Sequence, residues 1–260
     1  MLRSFVPVLL ASLLSYSTSA AVAQDNEAEI EQSAADLAME TANFLASQDD
    51  MAFNWFVSFD EVVDENEKVT FFRSGTIVLD RGTGFVAQTE RGDTYRDFYF
   101  DGSVFSIVSP NENFYASTEI EGTFDTLAKS VQDRSDTILP LWSMLSADLP
   151  DTLLENVHSG AYLGTTLISG QHVHHLAFAQ DDFDWQIWIS VEEDTPLPLM
   201  LIGTDRQKPG WPQYRVYFSE WNLDPEIADG QFTYQPEDDD VKMSFPTMPA
   251  STAPATAGSD

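Results

Sequence analysis

Hydrophobic residues recur along this chain in two rhythms. From Ile30, the positions Ala34, Leu37, Ala38, Thr41, Phe44 and Leu45 return at the spacing that a 3.6-residue period sets on one helix face. Asn26, with Glu29 three residues on, supplies a capping pair at its start. The pattern predicts one amphipathic helix laid on a sheet. From Phe53 the period becomes two. Phe53, Trp55, Val57 and Phe59 share one side of an extended strand, and Asn54, Ser58 and Asp60 take the other.

Turn signals then divide the chain into short strands. Asp64 to Glu67 and Arg81 to Gly84 flank a strand over Lys68 to Asp80, and a third runs from Phe85 to Glu90. Gly92-Asp93, Asp101-Gly102 and Pro110-Asn111 separate strands at Thr94–Phe100, Val104–Val108 and Phe114–Thr118. Thr123 to Arg134 and Leu149 to Asn156 lack alternation and read as helical, with a short apolar stretch, Pro140 to Leu145, between them. Strands resume at Ala161–Ile168, Gln171–Ala179, Phe183–Val191, Leu197–Asp205 and Tyr214–Leu223. The sum is an antiparallel meander of about eleven strands interrupted by helices. Links of hairpin length argue against βαβ units and a parallel sheet. From Ser244 to Asp260 the chain is rich in Pro, Ala, Thr and Ser without periodicity, which predicts a disordered tail after a single domain over residues 24–243.

Composition narrows the function. The 260 residues are 43% hydrophobic, 12% aromatic and 21% charged, a globular mixture. Twelve Lys and Arg stand against 43 Asp and Glu, a net charge of −31 that repels nucleic acid and bare anionic membrane surfaces. The absence of cysteine removes disulfides, thiol nucleophiles and Cys-ligated zinc. Arg3, the apolar run Phe5 to Leu14 and Ala21-Val22-Ala23 before Gln24 form a secretory signal peptide over residues 1–23, directing the product to the periplasm. Ser12, Ser15, Ser17, Thr18 and Ser19 break that run below the roughly 20 apolar residues of a membrane span, so an integral membrane protein is not expected.

Candidate chemistry is sparse. His172 and His174 project to one face of a strand at a spacing that can ligate zinc, with His175 on the other face; a third ligand would have to come from His158 or a carboxylate. The plainer reading is a strand whose amphipathic positions are histidines. No Gly-x-Ser-x-Gly elbow is present, Gly82-Thr83-Gly84 lacks the lysine and helix of a phosphate loop, and Glu237 to Asp240 lacks the spaced oxygens of a calcium loop. No catalytic residue, metal or cofactor is therefore assigned.

The remaining signal is apolar. Phe183, Trp185, Ile187, Ile189 and Val191 form one unbroken face, and Val216 with Phe218 form another. Such stripes fill the core of a closed protein. In a strongly curved sheet with few helices to cover it, they leave inner surface to spare for a ligand. Under the second reading the candidate ligand-binding residues are Phe53, Trp55, Val57, Phe178, Trp185, Ile187, Ile189, Val216 and Phe218.

The order of motifs resembles a family. Phe98-Tyr99-Phe100-Asp101-Gly102-Ser103, Asn113-Phe114-Tyr115-Ala116, Gly122-Thr123-Phe124-Asp125, Tyr162-Leu163-Gly164, His174-His175-Leu176-Ala177-Phe178, Asp184-Trp185-Gln186-Ile187-Trp188-Ile189 and Pro196-Leu197-Pro198 together resemble an uncharacterised family of predicted periplasmic proteins, over roughly Glu27 to Phe245. That family looks like a distant member of the superfamily of the lipoprotein-localisation factors LolA and LolB and the RseB sensor domain. Phe232-Thr233-Tyr234-Gln235-Pro236, before an acidic turn and Val241, is similar to the closing strand of those proteins. The resemblance implies an incomplete antiparallel β-barrel, mainly β, with a few helices as lid or plug. It also implies an apolar cavity for lipid or the acyl chains of a lipoprotein, and it carries no catalytic residues. The alternative function is a non-enzymatic envelope interaction or signalling protein whose acidic surface meets a basic envelope protein.

Overall fold

The structure, a computed structural model, describes residues 29–64, 67–134 and 140–245. The signal peptide, the Asn26 cap, two residues of the first hairpin turn and the tail beyond Phe245 lie outside the described residues.

The strands are β1 (Asp50–Asp64), β2 (Glu67–Asp80), β3 (Gly84–Arg91), β4 (Thr94–Phe100), β5 (Val104–Ser109), β6 (Phe114–Glu119), β7 (Ser159–Ile168), β8 (Gln171–Ala179), β9 (Phe183–Ser190), β10 (Pro198–Asp205), β11 (Gln213–Asn222) and β12 (Val241–Lys242). Among the described residues four α-helices accompany them, α1 (Gln32–Ser47), α2 (Phe124–Arg134), α3 (Pro140–Leu145) and α4 (Leu149–Thr152), with a 3-10 turn at Pro110–Glu112. All twelve strands form one sheet in the order β12-β6-β5-β4-β3-β2-β1-β11-β10-β9-β8-β7. It consists of two antiparallel meanders, β1–β6 and β7–β11, and β1 joins them by pairing with both β2 and β11. The fold is mainly β, an open, curled sheet with few helices.

Alternation sets the two faces. Trp55 pairs with Phe218 across β11 and with Gly75 across β2, and Phe53 pairs with Ile77. These apolar positions turn inward, towards the helices. Asn54, Phe56, Ser58 and Asp60 take the opposite, outer face. The Asp60 side chain is only 4% exposed and lies at the centre of the join. The Thr70 hydroxyl and Gln213 N–H donate to it at 2.8 and 3.1 Å, and Lys68 and Arg215 stand 3.4 Å from its oxygens. Burial alone would raise its carboxyl, but the bonds from Thr70, Gln213 and Arg215 outweigh that, and the net shift is below the usual carboxylate range.

Helix α1 starts at Gln32, and its N-cap position, Glu31, makes no side-chain cap bond. Ile30 does not extend the helix; it forms a bridge to Gly160, and Glu31 N–H donates to the Gly160 carbonyl at 2.9 Å, so this segment covers the edge of β7. The buried face of α1 is small, with Ala34, Ala38, Thr41, Ala42 and Leu45, which lets the helix lie close on the sheet. Under it sit Leu176, Phe178, Trp185, Ile187 and Ile189. The larger core lies over β1–β5, where Phe124 and Leu127 of α2, and Met144 and Leu145 of α3, cover Phe85, Phe100 and Phe105. Trp142 of α3 meets Phe85 and Phe105 edge-on at 5.5 and 6.5 Å. Each fully buried ring of this kind contributes about 1.5–3 kcal/mol through the area it removes from water.

Some sequence expectations need correction. Among the described residues the strands number twelve, the expected eleven or so plus Val241–Lys242, a short parallel partner of β6. Phe232–Pro236 forms no strand. Phe232 is buried, Tyr234 packs between Tyr99 and Tyr115 at 5.5 and 5.4 Å, and the Asp240 carboxylate accepts from the Tyr234 hydroxyl. These side-chain anchors hold the segment across the outer face, and pairing begins only beyond the turn, where Val241 N–H donates to Asn113 at 2.8 Å. Not every link is hairpin-length, since α2–α4 separate β6 from β7. The predicted helix Leu149 to Asn156 shortens to Leu149–Thr152, and the apolar stretch Pro140–Leu145 is itself helical.

Arg81, at the β2–β3 turn, ties the helices to the sheet. Its Nε donates to the Gln48 carbonyl at 2.8 Å, and its two terminal nitrogens donate to Leu145 at 2.5 Å and Leu45 at 3.0 Å. Leu45 and Leu145 lie in the last turns of α1 and α3, where helix carbonyls run short of intrahelical donors; Leu45 also accepts from the Gln48 N–H at 3.3 Å. Replacing Arg81 with Ala should cost about 2–3 kcal/mol in urea denaturation, with Arg81→Lys recovering less than half, because an ammonium cannot span three divergent carbonyls.

Asp60 gives a pH signature. Because its folded carboxyl binds protons less readily than the unfolded one, its contribution is complete above the unfolded value near 3.8 and is lost as the pH falls through the lower folded value. The stability gap between the wild type and Asp60→Asn should be about 2 kcal/mol at neutral pH and should narrow below about pH 4, as read from urea melts across that range.

Candidate apolar binding face

Two registers bring the predicted residues together across the sheet. One row runs Phe71, Phe59, Tyr214, Gly203, Trp185, Phe178, Gly160 over β2, β1, β11, β10, β9, β8 and β7. The next runs Arg73, Val57, Val216, Leu201, Ile187, Leu176. Trp55 with Phe218, and Phe53 with Ile77, Ala87, Phe98 and Ile107, extend the face towards α2 and α3. All nine sequence-predicted residues lie on this one inner face, and all are buried. Phe53, Trp55, Val57, Val216 and Phe218 belong to the cluster under α2 and α3, and Phe178, Trp185, Ile187 and Ile189 to the cluster under α1.

Aromatic packing uses gaps left by glycines. Phe178 stacks on Trp185 at 4.2 Å and 22°. A Cβ at Gly203 would lie 2.3 Å from the Phe183 ring, and one at Gly160 would lie 2.7 Å from Phe178, so each glycine makes room for a neighbouring ring. At Gly75 a Cβ would fall 2.0 Å from the Gln88 carbonyl oxygen and 2.6 Å from the Trp55 ring. The Trp55 indole N–H is buried without an acceptor.

The helices do not cover the whole face. Phe59, Phe98, Ile107, Leu201 and Tyr214 are only partly buried against the core, and Phe71 is half-exposed beside Phe59, 5.9 Å away. Alternation within β1 places Phe59 in the inward stripe, but it does not single out Phe71, Phe98, Ile107, Leu201 or Tyr214. Their signal lies in pairing register, which a single strand does not reveal. Burial pushes the Tyr214 phenol up to about 12, with nearby Arg73 partly opposing the rise.

The histidines divide between the faces. His174 Nδ1 is 3.0 Å from the Tyr162 hydroxyl, His175 stacks on Trp188 at 4.1 Å in an outer cluster with Val173 and Met200, and His172 is exposed. Among the described residues no group of three His, Asp or Glu side chains is placed to hold a metal.

A separate cleft of about 710 Å³ opens among outer-facing side chains of β1–β4, including Asn54, Ser74, Gln88, Glu90, Tyr95 and Asp97, with Pro110 and Asn111 beside it. Its polar groups pair with one another or with neighbours: Ser74 donates to Glu90 at 2.6 Å, Gln88 to Asp97 at 3.4 Å, and Asn54 to Glu220 at 2.6 Å. Of the predicted residues only Trp55 borders it.

The sequence profile of the predicted periplasmic proteins DUF2092 matches residues 34–246. The chain belongs to this family. DUF2092 membership puts the protein in the periplasm, and among the described residues no helix is long and apolar enough to cross a membrane. No curated protein matches the sequence. Solved structures similar to this DUF2092 chain include LprF from Mycobacterium bovis, at 8% identity over 77% of this chain and 98% of that one, TM-score 0.49. An uncharacterised conserved protein from Thermus thermophilus aligns at 10% identity over 82% and 100%, TM-score 0.45. A LolA superfamily protein from Nitrosomonas europaea aligns at 10% identity over 77% and 97%, TM-score 0.35.

The inner face has a spectroscopic marker. Tyr214 should remain largely protonated beyond the range in which free tyrosines ionise near 10, so an ultraviolet titration of wild type against Tyr214→Phe should show a difference of only about a tenth of one phenolate at pH 11. A nearly full phenolate signal lost in the variant at that pH would place Tyr214 in open water.

Proposed function

We propose that this periplasmic protein is a binding module, not an enzyme, and that it shelters an apolar ligand, lipid or the acyl chains of a lipoprotein, against the inner face of its curled sheet. The observation that carries this reading is the mismatch between apolar surface and cover: apolar rows cross the inner face from β8 to β5, interrupted by Arg73 and Arg91, and Phe59, Phe71, Phe98, Ile107, Leu201 and Tyr214 on it stay only partly buried. A contiguous apolar surface left partly uncovered in a protein this rich in charge is suited to binding. Acyl chains fit it, since each methylene removed from water contributes about 0.8 kcal/mol and dispersion on aromatic walls needs no polar partner. The nine buried residues form the back wall of the face in this reading, and the partly buried ones meet the ligand first.

Native mass spectrometry of protein extracted from its host should show a lipid adduct, and delipidated protein should take up a fluorescent fatty-acid probe. Leu201→Asn, central between Val216 and Ile187, should weaken uptake roughly fivefold, about 1 kcal/mol, while the thermal midpoint falls only slightly. Absence of any adduct together with no probe uptake would overturn the proposal.

A further inference from the structure

The apolar face ends in two cations. Arg73 and Arg91 follow the inward register of β2 and β3 and converge on one ring: their guanidinium carbons lie 5.0 and 5.6 Å from the Phe59 centroid, and Arg91 also lies 4.8 Å from that of Phe71. Cations are scarce here, 12 against 43 acidic residues, and several are engaged elsewhere. Arg81 holds carbonyls, Arg96 pairs with Glu112 at 3.2 Å, Arg206 with Asp184 at 3.4 Å, and Arg215 and Lys68 with Asp60. Arg73 has no carboxylate partner among the described residues. Arg91 has only Glu61, loosely at 3.9 Å, with both side chains about half exposed.

This pairing is unusual in a protein of net charge −31, where any free cation has many carboxylates to choose from. Two guanidinium groups gathered over one ring repel each other, and an anion between them relieves that repulsion. A ring beneath a guanidinium engages its flat face and leaves the N–H edge free for the oxygens of a carboxylate or phosphate. Tyr214, on the same row as Phe59, adds a neutral hydroxyl donor near Arg73.

We propose that Arg73 and Arg91 form a seat for an oxyanion head, so that the ligand of the apolar face is an anionic amphiphile whose acyl chain lies along Phe59, Tyr214 and Leu201. This rests on the binding function proposed above and adds the chemistry of the ligand's polar end. Carboxylate and phosphate heads share that chemistry.

The test uses the full mature chain, delipidated, and three probes of equal chain length, dodecanoate, dodecyl phosphate and methyl dodecanoate, with inorganic phosphate as the headgroup alone. The anionic probes should bind more tightly than the ester at low salt, and the preference should shrink as salt screens the exposed arginines. The double variant Arg73→Gln/Arg91→Gln should lose roughly fivefold in affinity for the anionic probes and nothing for the ester. Lys208→Gln, which removes a charge elsewhere, should change neither. Inorganic phosphate should not bind measurably, and whichever anionic probe loses more in the double variant identifies the head. Equal affinity for acid and ester, or equal losses for both in the double variant, would overturn the oxyanion seat and leave the apolar site standing. No binding of any tailed probe would overturn both.

Discussion

Strand β1 is the constraint on which the rest depends. It is 15 residues long, and it alone connects two meanders that would otherwise be separate sheets, by pairing with β2 on one edge and β11 on the other. Strands β1 and β11 are more than 150 residues apart in sequence, as the Gln213–Asp60 bond shows, so closing this ladder carries the largest loop entropy in the fold, and local hairpins can form first. Asp60 holds the join on the outer face. A carboxylate this buried is tolerable only because Thr70, Gln213, Lys68 and Arg215 satisfy it from both flanking strands. The inner side of the same strand carries Phe53, Trp55, Val57 and Phe59, so one element both unites the sheet and supplies the middle of its apolar face.

From that join follows an imbalance. Twelve strands in one curled sheet present an inner face wider than four helices can cover, two of which, α3 and α4, have six and four residues. The helices are placed where burial is greatest, α1 over β7–β9 and α2–α3 over β1–β5, and Arg81 fixes the ends of α1 and α3 to the β2–β3 turn. What stays partly open is the strip through Phe71, Phe59, Tyr214 and Leu201, and it ends at Arg73 and Arg91. Apolar surface and cations with little or no carboxylate pairing thus occur side by side, at one place, in an otherwise acidic molecule.

The sheet's edges are dealt with by chain segments on either side of the meanders. The stretch before α1 bridges to β7 at Gly160, and the stretch after β11 crosses the outer face, seats Tyr234 between Tyr99 and Tyr115, and lays Val241–Lys242 beside β6 before Phe245 reaches Phe105 on the inner side. An open sheet of this width needs such cover, since an uncovered edge pairs with other chains.

Local signals settle the strands, their order along the chain, the helix at the start and the inward stripes of β1, β9 and β11, because two-residue and 3.6-residue periods and Asp-Gly or Pro-Asn turns can be read from neighbouring residues. The motif order also points to the predicted periplasmic family. Folding in three dimensions was needed to establish that β1 joins β11, and therefore that Val57 faces Val216, that Phe71 and Tyr214 flank Phe59, and that Arg73 and Arg91 meet over one ring. The same holds for Phe232–Pro236, which side-chain anchors fix in place of strand pairing. These are consequences of register between segments far apart in the chain, and nothing in a strand's own alternation states which partner it will meet or which of its residues a helix will reach.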